Sequence, residues 1–253
     1  MTLAEQAEVF RRLHEAPPML VLPNAWDAAS ARLVAEAGFP AIATSSGAVA
    51  ASLGHEDVDV MPVDEAFGAV ARIAGAVDVP VTADIEAGYG LDALELVERL
   101  FDAGAIGCNL EDTDHHGGGE LVDPVAQAER LAEVVAAGQQ AGVNVVVNAR
   151  VDVFLHREGP PAELVPEAVD RAQRYLEAGA TCVYAIGLFD EEAIGQITQA
   201  VDGPVNVYVR RSGPGLARLA ELGVARASFG GGLYRMALAA LGEELERIRS
   251  EAP

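Results

Sequence analysis

Three acidic residues lie at the ends of two strand-like segments. Asp84 and Glu86 are two positions apart in TADIE, and Glu111 follows AIGCNL. Alternate residues of a strand share a face, so Asp84 and Glu86 are predicted to project together. Converging carboxylates repel one another unless a cation lies between them, and oxygen-only ligands suit Mg²⁺ or Mn²⁺. We predict a metal site at these residues; the alternative is a set of solvated acids paired with arginines.

A polar stripe on a later segment could hold an anion. Asn148, Arg150 and Asp152 alternate along VNVVVNARVD and therefore share one face. Arginine binds a carboxylate or a phosphonate through two N–H groups. Arg150 is thus a candidate catalytic and substrate-binding residue beside the metal, and Asn148 is a second candidate substrate contact. The alternative is an internal ion pair between Arg150 and Asp152 with a structural role.

Two other segments offer polar groups to a substrate. Ser45, Ser46 and Gly47 end the segment AIATSSG, where hydroxyl and backbone N–H groups could receive a substrate oxygen. His115 and His116 lie in the glycine-rich stretch DTDHHGGGE, which could be a mobile lid that carries an acid or a base. The alternative for both histidines is an exposed loop without a catalytic role.

The cysteines and a late glycine cluster are less specific. Cys108 lies three positions before Glu111, so it is predicted to point to the opposite face, away from the site. Cys108 and Cys182 have neither the number nor the spacing of a disulfide framework or a zinc site, and we expect buried thiols. The glycines at 230–232 could hold a phosphate on backbone amides, or could simply form a turn into the last helix.

The elements that position these residues follow a regular alternation of strands and helices. Helix endings such as EAGFPAI, DAGAIGC and QAGVNVV place a glycine just before the next strand. This pattern predicts an α/β fold, a single (β/α)₈ TIM-type barrel domain over residues 1–253 with an extra N-terminal helix. An open doubly wound sheet would need a glycine fingerprint that the chain lacks after its first strand. The predicted strands are 18–25, 41–46, 79–86, 105–111, 143–151, 181–187, 204–210 and 224–229.

Composition excludes several classes of function. The net charge of −22 argues against nucleic-acid and membrane-surface partners. All 17 basic residues are arginines, and the absence of lysine excludes Schiff-base aldolases, pyridoxal-phosphate enzymes and P-loop kinases. No segment is predicted to span a membrane, and the N-terminus reads as an amphipathic helix rather than a secretory signal, so the default expectation is a cytoplasmic protein.

The chain contains four segments in this order: LPNAWDAASARLVAEAGFPAIATSSGAVAASLGHED, TADIEAGYG, GCNLED and NARVD. Together they resemble the isocitrate lyase and phosphoenolpyruvate mutase superfamily. The resemblance runs from about Leu22 to Gly232. It implies a barrel in which Asp84, Glu86 and Glu111 bind Mg²⁺ and a 2-oxo acid or its enolate is chelated. It also implies a catalytic role near the metal for Asp57, while Arg150 and the loop at 45–47 match substrate-binding positions.

The chain departs from this superfamily in one loop. Its lyases carry a Lys-Lys-Cys-Gly-His type of loop after the fourth strand and its mutases a lysine- and asparagine-bearing loop, whereas this chain has DTDHHGGGELVD. This loop therefore has neither the cysteine that donates a proton in the lyases nor the lysine that serves as a charge partner in the mutases. His115 or His116 could supply the proton instead.

The leading functional hypothesis is a Mg²⁺-dependent lyase that acts on a small anionic substrate, a 2-oxo or 2-hydroxy carboxylic acid. The second hypothesis is phosphorus–carbon chemistry on phosphonopyruvate-like substrates, and the third is a non-catalytic barrel that binds a metabolite. The final helix, about 233–250, corresponds to a helix that related enzymes exchange between subunits. We therefore expect a homo-oligomer, a dimer or a tetramer.

Overall fold

A computed structural model of the chain describes residues 1–15, 17–56 and 59–252. Short strands alternate with longer helices, as the glycine punctuation predicts. The strands are β1 Leu20–Leu22, β2 Asn24–Ala25, β3 Ile42–Thr44, β4 Val81–Asp84, β5 Gly107–Leu110, β6 Thr113–Asp114, β7 Glu120–Leu121, β8 Val146–Val151, β9 Cys182–Ala185, β10 Val205–Tyr208 and β11 Arg226–Ser228. The helices are α1 Leu3–Arg12, α2 Ala28–Glu36, α3 Ser46–Leu53, α4 Val63–Ala74, α5 Ala93–Asp102, α6 Pro124–Gln140, α7 Val153–His156, α8 Pro161–Glu177, α9 Glu191–Ala200, α10 Leu216–Glu221 and α11 Gly232–Glu251.

The first strand closes the sheet into a barrel. It is divided at Pro23 into β1, which pairs with β11, and β2, which pairs with β3. Between these two partners the parallel order runs β11, β10, β9, β8, β5, β4 and β3. Because both edges of the sheet meet on one strand, the described residues form the predicted (β/α)₈ barrel.

Helix boundaries follow from local chemistry. Asp27, Asp92 and Asp190 begin helices by accepting a backbone N–H from three residues further on. At the other end of several helices, a glycine with positive φ turns the chain towards the next strand. A residue with a β-carbon adopts this backbone conformation only at a cost in free energy. These glycines, predicted from the repeated helix endings, are Gly38, Gly104, Gly142, Gly179 and Gly223, with φ between 77° and 100°.

The predicted N-terminal helix closes one end of the barrel. In α1, Phe10 is fully buried among residues at the starts of strands, including Leu20 and Val146. Arg11 donates to the Thr181 hydroxyl at 3.0 Å. The opposite end, where the strands finish, remains open to receive a ligand.

The main apolar core lies between the strands and the helices. It includes Cys108, which packs with Ile85 and Leu96 on the outward side of the sheet, as its spacing from Glu111 predicts. Both cysteines are buried free thiols, and burial raises the pKa of Cys108 and of Cys182 to about 12. Such thiols do not act as nucleophiles at neutral pH.

The inside of the barrel is polar. Barrel interiors are usually filled by branched aliphatic side chains. Here the polar residues at and beneath the open end include Asn24, Thr82, Asn109, Asn148, Asn206, Arg226 and Ser228, all buried. The Arg226 guanidinium is fully buried and donates to Ser228 at 3.2 Å and to Asn109 at 3.4 Å.

The last helix, α11, packs differently from the others. None of its 20 residues is buried. Along it, Met236, Leu241 and Leu245 are between 44% and 55% exposed. Within the described residues, no helix combines the length and the apolarity needed to cross a membrane.

Candidate active site

The carboxyl ends of the barrel strands surround a cavity of about 560 Å³. Active sites of (β/α)₈ enzymes lie at this end of the barrel. The predicted residues Ser45, Ser46, Gly47, Asp84 and Arg150 all line the cavity. Other lining residues, which the sequence analysis did not single out, include Asn24, Asn109, Leu155, Tyr184, Phe189, Tyr208, Ser228, Tyr234 and Arg235.

Asp84 ends β4 and is held by the neighbouring strand. Its backbone N–H donates to the Thr44 hydroxyl at 2.8 Å. Its Oδ2 accepts from the Ser46 hydroxyl at 3.0 Å and from the Ser46 N–H at 3.2 Å. Its other oxygen, Oδ1, is buried and has no hydrogen-bond partner among the described residues. A buried carboxylate oxygen without a partner is costly unless a cation or another donor reaches it.

Glu111 follows β5 and is 4% exposed. Its carboxylate pairs with the Arg150 guanidinium and with His115 Nε2. Burial raises the pKa of Glu111, while the positive charge of Arg150 opposes that shift. The hydrogen bond to Glu111 is the main cause that raises the pKa of His115. Glu111, a predicted metal ligand, and His115, a predicted proton donor, are therefore in direct contact.

Glu86 does not follow the strand geometry from which its direction was predicted. β4 ends at Asp84, and Glu86 has a left-handed backbone with φ of 50°. The alternation rule therefore does not determine where its side chain points. Its carboxylate instead accepts from the backbone N–H of Asp59 and is 2% exposed.

Asp59 is a buried acid that the sequence analysis missed. Its Oδ1 accepts from the Tyr89 N–H at 3.0 Å, and its Oδ2 pairs with His116 Nε2 at 2.9 Å. Asp59 and Tyr89 also have positive φ, 57° and 54°. Non-glycine residues in this conformation are strained and tend to gather at functional sites. Asp57, the predicted catalytic aspartate, lies outside the described residues.

The two histidines lie in an ordered hairpin rather than in an irregular loop. β6 and β7 pair antiparallel across it. The Asp114 carboxylate accepts from the N–H groups of His116 and Gly117 at 3.1 and 2.7 Å. The hairpin carries His115 to Glu111 and His116, which is largely exposed, to Asp59.

Arg150 is fixed from two sides. Asp152 binds its Nε and Nη2, at 2.6 and 2.9 Å, and Glu111 binds its Nη1. Asp152 in turn accepts from the Thr113 hydroxyl at 2.5 Å. The Arg150–Asp152 pair that we considered as an alternative is present, and Arg150 also lines the cavity, so the two readings are compatible.

Asn148 lies beneath the cavity rather than in its wall. It is fully buried and lies two residues before Arg150 on β8. Its Nδ2 donates to Asn109 Oδ1 at 2.7 Å. Asn109 lines the cavity, and Asn148 contacts Asn109 from the neighbouring strand. The substrate contact of Asn148 stays a prediction.

The glycines at 230–232 are used mainly by the protein itself. The N–H groups of Phe229 and Gly230 both donate to Asn24 Oδ1, at 2.8 and 2.9 Å. The N–H of Gly232 donates to the Phe229 carbonyl at 2.9 Å. These contacts favour the turn into α11 over a phosphate site built from the loop amides.

The residue types of the predicted metal site fit Mg²⁺. Asp84, Glu86 and Glu111 offer hard carboxylate oxygens, and Asp84 Oδ1 is a buried oxygen that needs a partner. In the described part of the chain, no three histidine, cysteine, aspartate or glutamate side chains are grouped so as to hold an ion. Glu111 is already engaged by His115 on one oxygen and by Arg150 on the other, so a metal would share these oxygens with them.

Comparisons with known proteins agree with this geometry. The model of the phosphoenolpyruvate phosphomutase family matches residues 10–249. A solved structure from Burkholderia cenocepacia J2315, of the phosphonomutase type, is 41% identical, with a TM-score of 0.90 and coverage of 96% of this chain and 99% of the other. The 2-methylisocitrate lyase of Bacillus subtilis is 31% identical over 79% of this chain and 66% of its own length. The oxaloacetate decarboxylase of Pseudomonas fluorescens is 30% identical over 91% of this chain and 80% of its own. The chain therefore belongs to the phosphoenolpyruvate phosphomutase family, in the superfamily that its sequence motifs indicate.

Proposed function

We propose that this protein is a Mg²⁺-dependent lyase that cleaves a small 2-oxo or 2-hydroxy carboxylic acid through an enolate intermediate. The observation that carries the proposal is the unpartnered, buried Oδ1 of Asp84, which lies in one cavity with Arg150 and with residues 45–47 at the start of α3. Relatives that act as 2-methylisocitrate lyase and oxaloacetate decarboxylase support carbon–carbon cleavage over other reactions.

The substrate's carboxylate would lie against the start of α3. This helix begins at Ser46, directly at the cavity, and the positive end of its dipole favours an anion there. Gly47 has no side chain to obstruct the approach to its N–H. On the opposite side, the guanidinium of Arg150 is oriented by Asp152 before any substrate arrives, so its direction need not change on binding.

The enolate needs positive charge and a source of protons. Mg²⁺ held by Asp84, Glu86 and Glu111 would supply the charge and lower the energy of the developing anion. We assign the proton to His115, because its bond to Glu111 raises its pKa and so keeps it protonated at higher pH than an ordinary histidine. His116, largely exposed and paired with Asp59, is the second candidate.

Phosphorus–carbon chemistry on a phosphonopyruvate-like substrate is the second candidate function. The family model of phosphoenolpyruvate phosphomutase favours it. Against it stand the absence of lysine from the chain and the engagement of the Phe229, Gly230 and Gly232 amides within the protein.

We also propose that the protein is a homo-oligomer, a dimer or a tetramer, in which α11 packs against another subunit. A helix with large apolar residues and no buried position gains little from its own chain. Light scattering of the purified protein tests this proposal: a monomer at micromolar concentration contradicts it.

The decisive experiment offers the protein oxaloacetate, substituted malates, 2-methylisocitrate and phosphonopyruvate, each with Mg²⁺ or with EDTA. Products are followed by proton and phosphorus NMR. Cleavage of a carboxylic acid that EDTA abolishes supports the lyase. Conversion of phosphonopyruvate alone supports the second candidate, and turnover of none of them contradicts both and favours a metabolite-binding barrel.

A further inference from the structure

Two arginines line the cavity, and they differ in their partners. Arg150 is bound by the carboxylates of Glu111 and Asp152, so most of its charge is already offset. Arg235, in the first turn of α11, makes no ion pair within the residues that the structure describes. Its Nη2 donates to the Tyr208 hydroxyl at 2.8 Å. Arg235 is therefore the arginine of the cavity whose charge is still available to an anion.

A chain of aromatic contacts holds Arg235 at the cavity. Tyr208 meets Phe189 edge to face, with ring centroids 5.9 Å apart. The Arg210 guanidinium stacks on the Phe189 ring, 3.6 Å from its centroid. Aromatic and cation–π contacts of this kind restrict the rotamers of the groups involved. The tyrosine hydroxyl that binds Arg235 is thus itself fixed in position.

Arg235 also lies close to Ser45, beside the start of α3 where the proposed function places the first carboxylate of the substrate. A β-carbon added at Gly231 would lie 3.0 Å from Arg235 Nη1 and 3.8 Å from Ser45 Oγ. The glycine therefore leaves space in which the guanidinium and the Ser45 hydroxyl approach the same region. A second carboxylate of a substrate held at the start of α3 would therefore lie within reach of Arg235.

The acidic character of the protein makes the free charge of Arg235 important for binding an anion. The chain has a net charge of −22, and Asp84 lies in the cavity wall. A ligand with two negative charges is repelled by such surroundings unless each charge finds a positive partner. Mg²⁺ and Arg150 would serve one anionic end, and a second end requires a second cation.

We propose that Arg235 binds a second carboxylate of the substrate and so selects dianionic 2-oxo acids over monoanionic ones. The proposal rests on the proposed function, since it assumes that a 2-oxo acid occupies the cavity. Tyr208 is the positioning residue, because it acts on the substrate through Arg235.

The test uses two ligands that differ only at the far end. 2-Oxoglutarate carries a terminal carboxylate where 2-oxopentanoate carries a methyl group. Binding of each to the full-length protein is measured by calorimetry with Mg²⁺ present. We expect the dianion to bind wild type more tightly, and Arg235→Met to weaken it by about 10-fold or more, the typical effect of losing a charged hydrogen bond. The affinity for 2-oxopentanoate should change little.

Three variants complete the design. Arg235→Lys keeps the charge and should retain part of the preference, while Tyr208→Phe removes only the positioning hydroxyl and should give an intermediate loss. Arg211→Met removes a neighbouring arginine that does not line this cavity and serves as the matched control. If wild type binds neither acid, the proposal and the proposed function both fail. If it binds both equally, or if Arg235→Met weakens both equally, only the role of Arg235 is overturned.

Discussion

Arg150 and Asp152 form a two-pronged ion pair, with Nε–Oδ1 and Nη2–Oδ2 distances of 2.6 and 2.9 Å. Two parallel N–H···O bonds fix the plane of the guanidinium as well as its distance. The remaining Nη1 meets Glu111. One arginine thus joins the strand end that should hold the substrate to the strand end that should hold the metal.

Replacing Arg150 should cost both stability and activity. Arg150→Met leaves the buried carboxylates of Glu111 and Asp152 without their cation, so we expect the free energy of unfolding to fall by about 3–5 kcal/mol. Urea unfolding measures this loss. Arg157→Met, which breaks the exposed pair with Glu167, is the control and should cost about 1 kcal/mol or less. Equal losses in the two variants would contradict the buried role of Arg150.

Asp84 should be essential for the metal but not for the fold. Asp84→Ala removes the unpartnered Oδ1, so we expect Mg²⁺ affinity and turnover to be lost while the circular dichroism spectrum is kept. Calorimetric titration with Mg²⁺ checks the first point directly. Asp64→Ala, an exposed acid that pairs with Arg99, is the control and should bind the metal normally. Full turnover by Asp84→Ala would disprove the metal assignment.

The rate should depend on protonated His115. Because the pKa of His115 is raised, its acid form persists to higher pH than that of a free histidine, and the rate should decline as pH rises through the raised pKa. His115→Gln should lower kcat by about 10²–10⁴-fold and remove this decline. His55→Gln, which alters a surface pair with Glu65, should leave the pH profile unchanged. If His115→Gln left the pH profile unchanged, a group other than His115 would have to supply the proton.

A second histidine should make the fold sensitive to acid. Burial lowers the pKa of His14 to about 3. Between pH 6.5 and that value the unfolded chain binds the proton that the folded protein refuses, so stability falls as pH falls. At pH 5 the loss attributable to His14 is about 2 kcal/mol relative to pH 7. Urea midpoints at the two pH values should differ less in His14→Gln than in wild type; an equal difference would rule out His14 as the cause.

The barrel could be predicted because its signals are local and repeated. A glycine at the end of a helix, such as Gly104 or Gly179, predicts a turn into a strand, and the same pattern recurs along the chain. Every predicted strand segment contains one strand of the barrel, although the observed strands are shorter. The division of the first strand at Pro23 was not predicted, because it depends on the pairing of β1 with β11 and of β2 with β3, which are distant in sequence.

The predicted residues that line the cavity lie on a strand or directly after one. Asp84 and Arg150 end or occupy strands, residues 45–47 directly follow β3, and all of them reach the cavity. Asp59 escaped notice because its place is set by left-handed backbone and by contacts distant in sequence. Arg235 escaped notice because it lies in the first turn of a helix that was considered only for subunit contacts. Asn148 is fully buried, and alternation could not predict this because it gives the face of a strand but not the depth in the barrel.

The buried Arg226 gives the cavity a permanent electrical bias. It donates to Asn109 and Ser228 of the cavity wall and makes no ion pair within the described residues; burial lowers its pKa, and the Asp84 carboxylate opposes that shift from a distance. Water cannot screen it there, and its neighbours are held by hydrogen bonds of their own, so its field is not dissipated by rearrangement. An anion that enters the barrel mouth therefore meets a potential that folding has already established, and the chain carries the cost of that charge in every molecule, with or without substrate.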